Sequence, residues 1–407
     1  MTAPASLPGP SISERLARVW LSARTEPGDR VVAAMVAAAG AEATVERLAS
    51  GRTPARLAGP VGTDPTPLVS AEAVLAAAER RRLRWVCPGD DEWPQVLDDL
   101  EGIVDSSGRG GVPPGLWVRG EGRLADHLAD AVAVVGARAS TEYGNEVAGE
   151  ISADLGEAGL CVVSGAAYGI DAAAHRGALA VRGRTVAVLA CGADVSYPRG
   201  HDSLLARIAD QDLVVSEAPP GDHPTRVRFL ARNRLIAAVS RAVVVVEAAW
   251  RSGALNTLRW AGELQRQAMG VPGPVTSVLS AGVHQAVRER RAELVTNAAD
   301  VRELLAPMGA APLPGASGWN RGDQRPVDAL DGTSLAVLEA LPAGRAVPAV
   351  SVAKTTGIDD DTVTVALGRL LVEGLVETTP SGWWVVAQQS GAQQAAARGS
   401  DRLGEFR

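Results

Sequence analysis

The chain has 407 residues, of which 46% are hydrophobic and 21% are charged, and its formal net charge is −7 at pH 7. This length can form two or three domains with well-buried cores. No run approaches the roughly 18 apolar residues of a membrane span, and the first residues lack the basic and apolar regions of a signal peptide. We therefore expect a cytoplasmic protein without a membrane span.

The rarer residue types argue against several kinds of cofactor site. Cys87, Cys161 and Cys191 are odd in number and scattered, so they indicate neither a disulfide framework nor a zinc site, and we expect them to be buried. Lys354 is the only lysine, and no glycine precedes it. A Walker A phosphate loop needs the sequence Gly-Lys-Ser/Thr, and a pyridoxal Schiff base needs a buried lysine. We expect neither a cofactor nor a metal ion.

The first part of the chain is predicted to be largely helical. Residues 1–12 are rich in Pro, Ser and Ala and are predicted to be disordered. Residues 13–83 carry apolar side chains at spacings of three and four, which predicts a small N-terminal helical domain. Between residues 84 and 120, short apolar pieces are separated by turn residues and by the segment VDSSGRGGVPPG. We interpret this region as an extended connector that packs on the next domain.

The central part of the chain alternates predicted strands and helices, and with the connector it forms a predicted domain at residues 84–305. Most of the strands are followed by a turn and a helical run, which is typical of a doubly wound, mostly parallel α/β sheet of the Rossmann-like kind. Ligands of such sheets bind at the carboxyl ends of the strands. The six predicted strands are Ala131 to Val135, Leu160 to Val163, Thr185 to Ala190, Leu213 to Ser216, Ala242 to Glu247 and Met269 to Val271.

The segment LCVVSGAAYGIDAAAHRGAL, residues 160–179, is typical of a strand, a tight loop and the start of a helix. Such a junction directs backbone N–H groups and a helix dipole at one point, which predicts a phosphate site. We predict Asp171 as the helix N-cap, with Gly165 and Gly169 allowing close approach of a ligand. The simpler alternative is a tight turn alone. Asp171 and His175 are interpreted as a cap and a structural histidine rather than an acid/base pair.

Arginine is the basic residue of the predicted strand-end loops. These loops lack the G-x-G-x-x-G fingerprint, which disfavours a dinucleotide. Arg138 follows the first predicted strand and Arg199 follows the third. Between residues 219 and 241 the sequence has five arginines, and Asp222 is the only acidic residue. Guanidinium groups match phosphate oxygens, so a polyanion backbone is the expected ligand, with a solvated face or an ion-pair network as the alternative for the arginine run. Trp250 and Trp260 are interpreted as packing residues.

Four segments, in order, carry a resemblance to a known family: SGAAYGIDAAAHRGAL, CGADVSYPRG, ARNRLIAA and VVVVEAAWRSGAL. They resemble the DNA-processing protein A (DprA/Smf) family. The resemblance implies a Rossmann-like domain that binds single-stranded DNA without sequence specificity, a SAM/HhH-like N-terminal domain and no catalytic activity. It also implies a homodimer, formed through the Rossmann-like domain, that protects incoming strands in natural transformation and helps to load the RecA recombinase.

The resemblance also implies a set of DNA-binding residues. Arg138 and Arg199 would be the main contacts. Two departures from the family pattern stand out: Tyr168 occupies a position where the family usually has arginine, and His284 one where many relatives have asparagine. An aromatic ring at position 168 can stack on a base instead. The remaining implied contacts are Ser164, Gly165, Tyr168, Gly169, Arg232, Asn233, Arg234, Ser252 and Gly253.

The last part of the chain is predicted to form a separate domain. Residues 306–326 are rich in Pro, Gly and Ala and are interpreted as a linker. Residues 327–387 contain three helical runs and two short strands, the order of a winged helix, and residues 388–407 are predicted to be a disordered tail. Between residues 326 and 386 the sequence has three basic residues and eight acidic ones. We therefore hypothesise that this domain contacts protein rather than DNA.

Two other functions are compatible with parts of the sequence. A nucleotide-processing hydrolase of the lysine-decarboxylase-like phosphoribohydrolase kind uses a related sheet. Such enzymes carry a Pro-Gly-Gly-x-Gly-Thr loop, which the corresponding segment EAAWRSGAL lacks. A scaffold protein that depends mainly on its winged helix is the other alternative.

Overall fold

The computed structural model describes residues 9–50, 67–106, 108–306, 330–342 and 344–386. The chain divides into two compact units, residues 1–316 and residues 317–407. Of the segments predicted to be disordered or to link domains, residues 1–8, 307–326 and 388–407 lie outside the described residues.

The first unit contains eleven α-helices within its described residues. Most surround the central sheet, and two short 3₁₀ helices lie at Gln95–Leu100 and Arg199–His201. The helices are α1 (Ile12–Arg24), α2 (Arg30–Ala49), α3 (Pro67–Arg80), α4 (Leu124–Leu128), α5 (Glu142–Glu157), α6 (Ile170–Ala180), α7 (Asp202–Gln211), α8 (Arg226–Ala238), α9 (Gly253–Glu263), α10 (Ala281–Arg288) and α11 (Ala298–Leu305).

A nine-stranded sheet forms the centre of this unit, in the order β1-β2-β6-β5-β4-β3-β7-β8-β9. The strands from β6 to β9 in this order are parallel, and β1 and β2 add an antiparallel edge. The strands are β1 (Leu83–Val86), β2 (Leu116–Arg119), β3 (Ala131–Val135), β4 (Cys161–Ser164), β5 (Thr185–Leu189), β6 (Leu213–Ser216), β7 (Ala242–Val245), β8 (Gln267–Gly270) and β9 (Glu293–Leu294).

The sheet confirms the predicted Rossmann-like, mostly parallel α/β fold, and the six predicted strands are β3 to β8. From β3 the chain adds β4, β5 and β6 in succession on one side, and then crosses to the other side for β7 and β8. The direction of winding therefore reverses between β3 and β7. In open α/β sheets the crevice for ligands lies at the carboxyl ends of the strands beside such a reversal.

The interpretation of residues 84–120 as a connector was incomplete, because this region supplies two strands of the sheet. β1 pairs with β2 in antiparallel register, with Trp85 opposite Trp117, and β2 pairs with β6. The two indole rings lie 4.6 Å apart. Each strand has only four residues and both are largely buried, so neither shows the alternation of apolar and polar residues that identifies a strand in a sequence.

The N-terminal helices share one hydrophobic cluster with the sheet, including Trp20 of α1 and Trp117 of β2. The Trp117 indole N–H donates to the Ser22 hydroxyl at 3.0 Å, and this hydroxyl donates to the Glu217 carbonyl at 3.2 Å. The start of α1 is capped by Ser11, which accepts from the Glu14 N–H. The helices therefore pack as part of the first unit, and a separate N-terminal domain ending at residue 83 stays a prediction.

The second unit has its own small core. It contains α12 (Gly332–Glu339), α13 (Ala349–Thr356), α14 (Asp360–Val372) and the antiparallel strands β10 (Val376–Thr379) and β11 (Gly382–Val385). A hydrophobic cluster formed only by residues of this unit includes Val337, Leu367 and Leu370. The order of elements is the predicted one, and its assignment to the winged-helix class stays an interpretation.

Two other sequence-based expectations concern the whole chain. All three cysteines are buried with free thiols, as expected. Among the helices that the structure describes, none combines the length and the apolar character that would let it span a membrane.

Candidate nucleic-acid interface

An open cleft of about 670 Å³, called the main cleft below, lies at the carboxyl ends of β3, β4 and β7. Its walls come from the loops that follow these strands, from α8 and from the first turn of α9. Four arginines and one aspartate line it: Arg138, Arg226, Arg232, Arg251 and Asp171. The cleft is thus positively charged and lies where the sheet topology predicts a ligand.

Arg138 is exposed in the loop after β3, where its guanidinium lies over an aromatic ring and has no carboxylate partner among the described residues. Its guanidinium carbon lies 4.4 Å from the centre of the Phe229 ring. The Phe229 ring in turn contacts Tyr197, at 5.7 Å between ring centres, and Tyr197 is 40% exposed. A guanidinium that lies over an aromatic ring makes a cation–π contact and still has N–H groups with which it can bind a phosphate.

Ion pairs neutralise part of the arginine run that is predicted to give a local positive charge. Arg228 binds Glu26 at 3.1 Å and Asp222 at 2.5 Å. Arg241 binds Asp130 at 2.8 Å. The ion-pair network that we considered as the alternative therefore accounts for these two arginines.

Arg234 is fully buried and does not reach the main cleft. Its two terminal nitrogens donate to the two carboxylate oxygens of Glu217 at 2.8 Å, and its Nε donates to the Gly111 carbonyl at 3.2 Å. This fork-to-fork pair joins α8 to the end of β6 and to the segment before β2. We therefore remove Arg234 from the candidate DNA contacts, because its guanidinium has no accessible surface.

Arg232 lines the main cleft but is only 6% exposed. One terminal nitrogen donates to the Val188 carbonyl at 2.6 Å, while Nε has no hydrogen-bond partner among the described residues. A Cβ atom at Gly165 would lie 1.7 Å from this guanidinium, so any other residue would displace it. Gly165 thus makes room for Arg232, whereas we predicted that it makes room for a ligand.

We predicted Asp171 as the N-cap of α6, and this prediction was wrong. The N-cap is Gly169, which has a positive φ of 78°. The Asp171 carboxylate instead accepts from the Ala167 N–H at 3.3 Å, and the N–H groups of Gly136 and Gly165 also bind it. Burial raises the pKa of Asp171, which Arg232 and these N–H groups partly oppose. The predicted phosphate site at this helix start is therefore occupied by a carboxylate of the chain itself.

Other predicted contacts organise the loops around the cleft. Ser164 is buried, and its hydroxyl donates to the Val134 carbonyl at 2.7 Å. The Asn233 amide donates to the Gly253 carbonyl at 3.2 Å, and so fixes the start of α9. Ser252 caps this helix by accepting from the Ala254 N–H at 3.3 Å. The start of α9, with Ser252 and Gly253, lines the main cleft and keeps the dipole of that helix available to an anion.

A second cleft of about 700 Å³ adjoins the main cleft and shares Arg138 with it. Tyr168, Gly169, Arg176 and His201 also line this second cleft. Arg199 is exposed in the short turn between Tyr197, which lines the main cleft, and His201. The predicted contacts Arg138, Tyr168, Gly169 and Arg199 are thus brought together at one edge of the sheet.

The structure gives His175 a structural role and not an acid/base role. The Thr185 hydroxyl donates to the Val162 carbonyl at 2.8 Å, so the His175 Nδ1, at 2.7 Å from that hydroxyl oxygen, is the N–H donor. His175 Nε2 is buried without a partner in the described structure, and burial lowers the pKa of His175 to about 3. Among the described residues, no group of three His, Cys, Asp or Glu side chains is placed to hold a metal ion.

Several residues at the clefts were not among the predicted contacts. Arg226 and Phe229 belong to the arginine run. They differ from the buried arginines only in their orientation on α8, which the sequence does not show. Arg251 directly precedes the predicted Ser252. Trp260 is buried as expected, but the interpretation of Trp250 as a packing residue was wrong, because this side chain is 62% exposed next to Arg251.

Comparisons with known proteins agree with this architecture. A family model described as DNA recombination-mediator protein A matches residues 84–306. A Mycobacterium tuberculosis protein named as a DNA processing protein DprA is 42% identical over 392 residues, which cover 94% of this chain and 97% of the relative. Protein Smf of Synechocystis is 36% identical over 59% of this chain and 57% of the relative.

A solved structure gives the same assignment. The X-ray structure of DNA processing protein A from Streptococcus pneumoniae has a TM-score of 0.56 and 32% sequence identity, and the match covers 72% of this chain and 98% of that one. The chain therefore belongs to the DNA recombination-mediator protein A (DprA/Smf) family, and its role lies in DNA processing and recombination.

Proposed function

We propose that this protein acts by binding the phosphate backbone of single-stranded DNA in the main cleft and the second cleft, without catalysis. The observation that carries this proposal is the environment of Arg138, Arg226 and Arg251. All three are exposed, line one open cleft and, among the described residues, have no carboxylate partner. Their charge is therefore available to a ligand, and arginine matches phosphate geometry better than any other side chain.

The cleft favours an unpaired strand over a duplex. The Tyr197 and Phe229 rings lie among the arginines of the main cleft, and Tyr168 lines the adjoining second cleft. Unpaired bases can turn towards such rings while the backbone follows the arginines, whereas the bases of a duplex are already stacked and paired. Contacts to phosphates carry no sequence information, so binding is expected to be independent of sequence.

Fluorescence anisotropy with labelled single-stranded and duplex oligonucleotides of the same sequence tests this proposal. We expect tighter binding of the single strand, with little change between sequences and a marked loss at higher salt. Equal affinity for both forms would contradict the preference for single strands. A parallel incubation with nucleoside monophosphates tests the absence of catalysis, and release of free base would favour the hydrolase alternative.

We also propose, from the family resemblance, that the protein is cytoplasmic and forms a homodimer through the Rossmann-like domain, protects incoming strands in natural transformation and helps to load RecA. Light scattering of the purified chain would test the dimer. Strand exchange with RecA, on DNA covered by a single-strand-binding protein, would test the loading role. A chain that stays monomeric, or one that does not stimulate RecA, would contradict the corresponding part.

The second unit is proposed to be a winged helix that contacts protein. Asp359 caps α14, and Asp360 and Asp361 lie in the first turn of this helix, which is the presumed recognition helix. These carboxylates would repel DNA phosphates. Val365 and Val372 of the same helix are 60% and 89% exposed, which suits an interface with protein. Tight duplex binding by residues 327–387 alone at physiological salt would contradict this proposal.

A further inference from the structure

The ring of Tyr168 packs against a buried histidine while much of its surface stays exposed. Tyr168 is 51% exposed, and it packs against His201 with 4.6 Å between ring centres and an interplanar angle of 70°. His201 is buried, and its Nδ1 lies 3.0 Å from the Ala166 carbonyl oxygen. A Cβ atom at Gly200 would lie 2.7 Å from the Tyr168 hydroxyl oxygen, so only glycine leaves room for this ring position.

The charge around this ring suits a nucleic acid strand. Arg138 and Arg176 line the same second cleft, both are exposed, and among the described residues neither has a carboxylate partner. The described lining residues of this cleft include no aspartate or glutamate. Because Arg138 also lines the main cleft, a strand whose phosphate is bound there can continue from one cleft into the other.

We propose that the second cleft binds one unpaired base of single-stranded DNA, stacked on the ring of Tyr168, with its flanking phosphates on Arg138 and Arg176. This inference rests on the proposed function and adds to it a specific position along the strand. Tyr168 has no basic group, so this side chain contributes to binding through its ring and not through ion pairing with a phosphate. Every base has an aromatic face, so such a contact stabilises the complex without selecting a sequence.

The test compares Tyr168→Ala with Tyr168→Phe, which keeps the ring. We expect Tyr168→Ala to weaken binding of a short single strand by roughly 5- to 20-fold, and Tyr168→Phe to bind within about twofold of the wild type. The slope of log K against log salt should stay unchanged in both variants, because no phosphate contact is lost. Arg176→Gln should reduce that slope by about 0.7.

Abasic oligonucleotides locate the stacked base. In a series of oligonucleotides, one abasic site is placed at each position in turn. At one position the loss of the base should weaken binding by the wild type, and the same loss should not weaken binding by Tyr168→Ala any further. At this position, 2-aminopurine fluorescence should be quenched by the wild type and by Tyr168→Phe, and not by Tyr168→Ala. A variant that merely loosens the loop would not produce this positional coupling.

The outcomes separate this inference from the proposed function. If Arg138→Ala weakens binding and flattens its salt dependence while Tyr168→Ala has no effect, the backbone site stands and the stacking inference is wrong. The stacking inference would also be contradicted if the losses of binding free energy caused by Tyr168→Ala and by an abasic site were additive at every position of the strand. If neither Arg138→Ala nor Tyr168→Ala has an effect, the proposed function itself fails.

Discussion

At the scale of single residues, the surroundings of each arginine matter more than the number of arginines. The run on α8 carries Arg226, Arg228, Arg232 and Arg234 within nine positions, and the four have different roles. Arg228 is paired with two carboxylates, Arg234 is buried with Glu217, Arg232 is buried beneath Gly165, and only Arg226 is exposed in the main cleft. Sequence patterns count charges but do not show which are already neutralised.

Arg226 and Arg228 make a matched pair for testing this difference. Arg226→Ala should weaken single-strand binding and reduce the slope of log K against log salt by about 0.7, the contribution of one phosphate contact. Arg228→Ala should leave that slope unchanged, because Glu26 and Asp222 already neutralise this guanidinium. Salt titrations followed by anisotropy measure both slopes. Equal effects of the two substitutions would contradict the assignment.

Arg234 should contribute to stability and not to DNA binding. Arg234→Met leaves Glu217 as a buried, unpaired carboxylate, so we expect the free energy of unfolding of the first unit to fall by about 3–5 kcal/mol. The double variant Arg234→Met/Glu217→Leu should recover much of this loss. Urea denaturation measures stability, and anisotropy on the folded fraction measures DNA affinity. A single variant as stable as the wild type would be incompatible with this account.

At the scale of elements, burial on both faces made the parallel strands easy to predict from the sequence. The strands β3 to β7 are short, continuous apolar runs bounded by turn residues, as expected for such strands. Helix α8 was harder to interpret, because residues 231–238 are all buried and this stretch includes Arg232, Asn233 and Arg234. A polar helix is normally a surface helix, and only the fold shows that this one is enclosed.

The packing of α6 on β5 gives the protein a specific dependence on pH. His175 has an ordinary pKa of 6.5, which burial lowers to about 3 in the folded state. The unfolded chain therefore binds more protons between these values, and the free energy of unfolding decreases as the pH falls through this range. At pH 5 we expect His175 to account for a loss of about 2 kcal/mol relative to pH 7.

The variant His175→Gln provides the control, since glutamine can donate to Thr185 but does not titrate. Denaturation between pH 7 and pH 5 should show a smaller loss of stability for His175→Gln than for the wild type. Whatever the stability of the variant at pH 7, the contribution of His175 is the difference between the loss of stability of the wild type and that of the variant over this pH range. Parallel curves would contradict the assignment of a neutral, buried imidazole.

At the scale of the whole molecule, the two compact units divide the expected tasks. The residues that line both clefts belong to residues 1–316, and the second unit has a separate hydrophobic cluster. The family model also matches only residues 84–306. From its change in composition the sequence predicts a linker at residues 306–326, and this boundary stays a prediction. The sequence also predicts a local excess of arginine that the net charge of −7 conceals, but only the fold shows which of these arginines line the cleft.

Removing the second unit tests this division. A chain ending at Ala306 should bind single-stranded DNA with an affinity within about threefold of the full chain and with the same salt slope, because no cleft residue is lost. Anisotropy with the same labelled strand compares the two proteins, and circular dichroism confirms that the shorter chain is folded. A folded but non-binding fragment would place DNA contacts in the second unit.

The central claim is that the main cleft holds the phosphate backbone of a single strand, and one measurement tests it most directly. Anisotropy titrations across a salt series compare the wild type with Arg138→Ala/Arg251→Ala and with a control, Arg259→Ala/Arg288→Ala, which replaces two exposed arginines that line neither cleft. We expect the cleft variant to bind more weakly, with a salt slope reduced by about 1.4, and the control to match the wild type. An unchanged slope in the cleft variant, or an equal loss in the control, would contradict the claim.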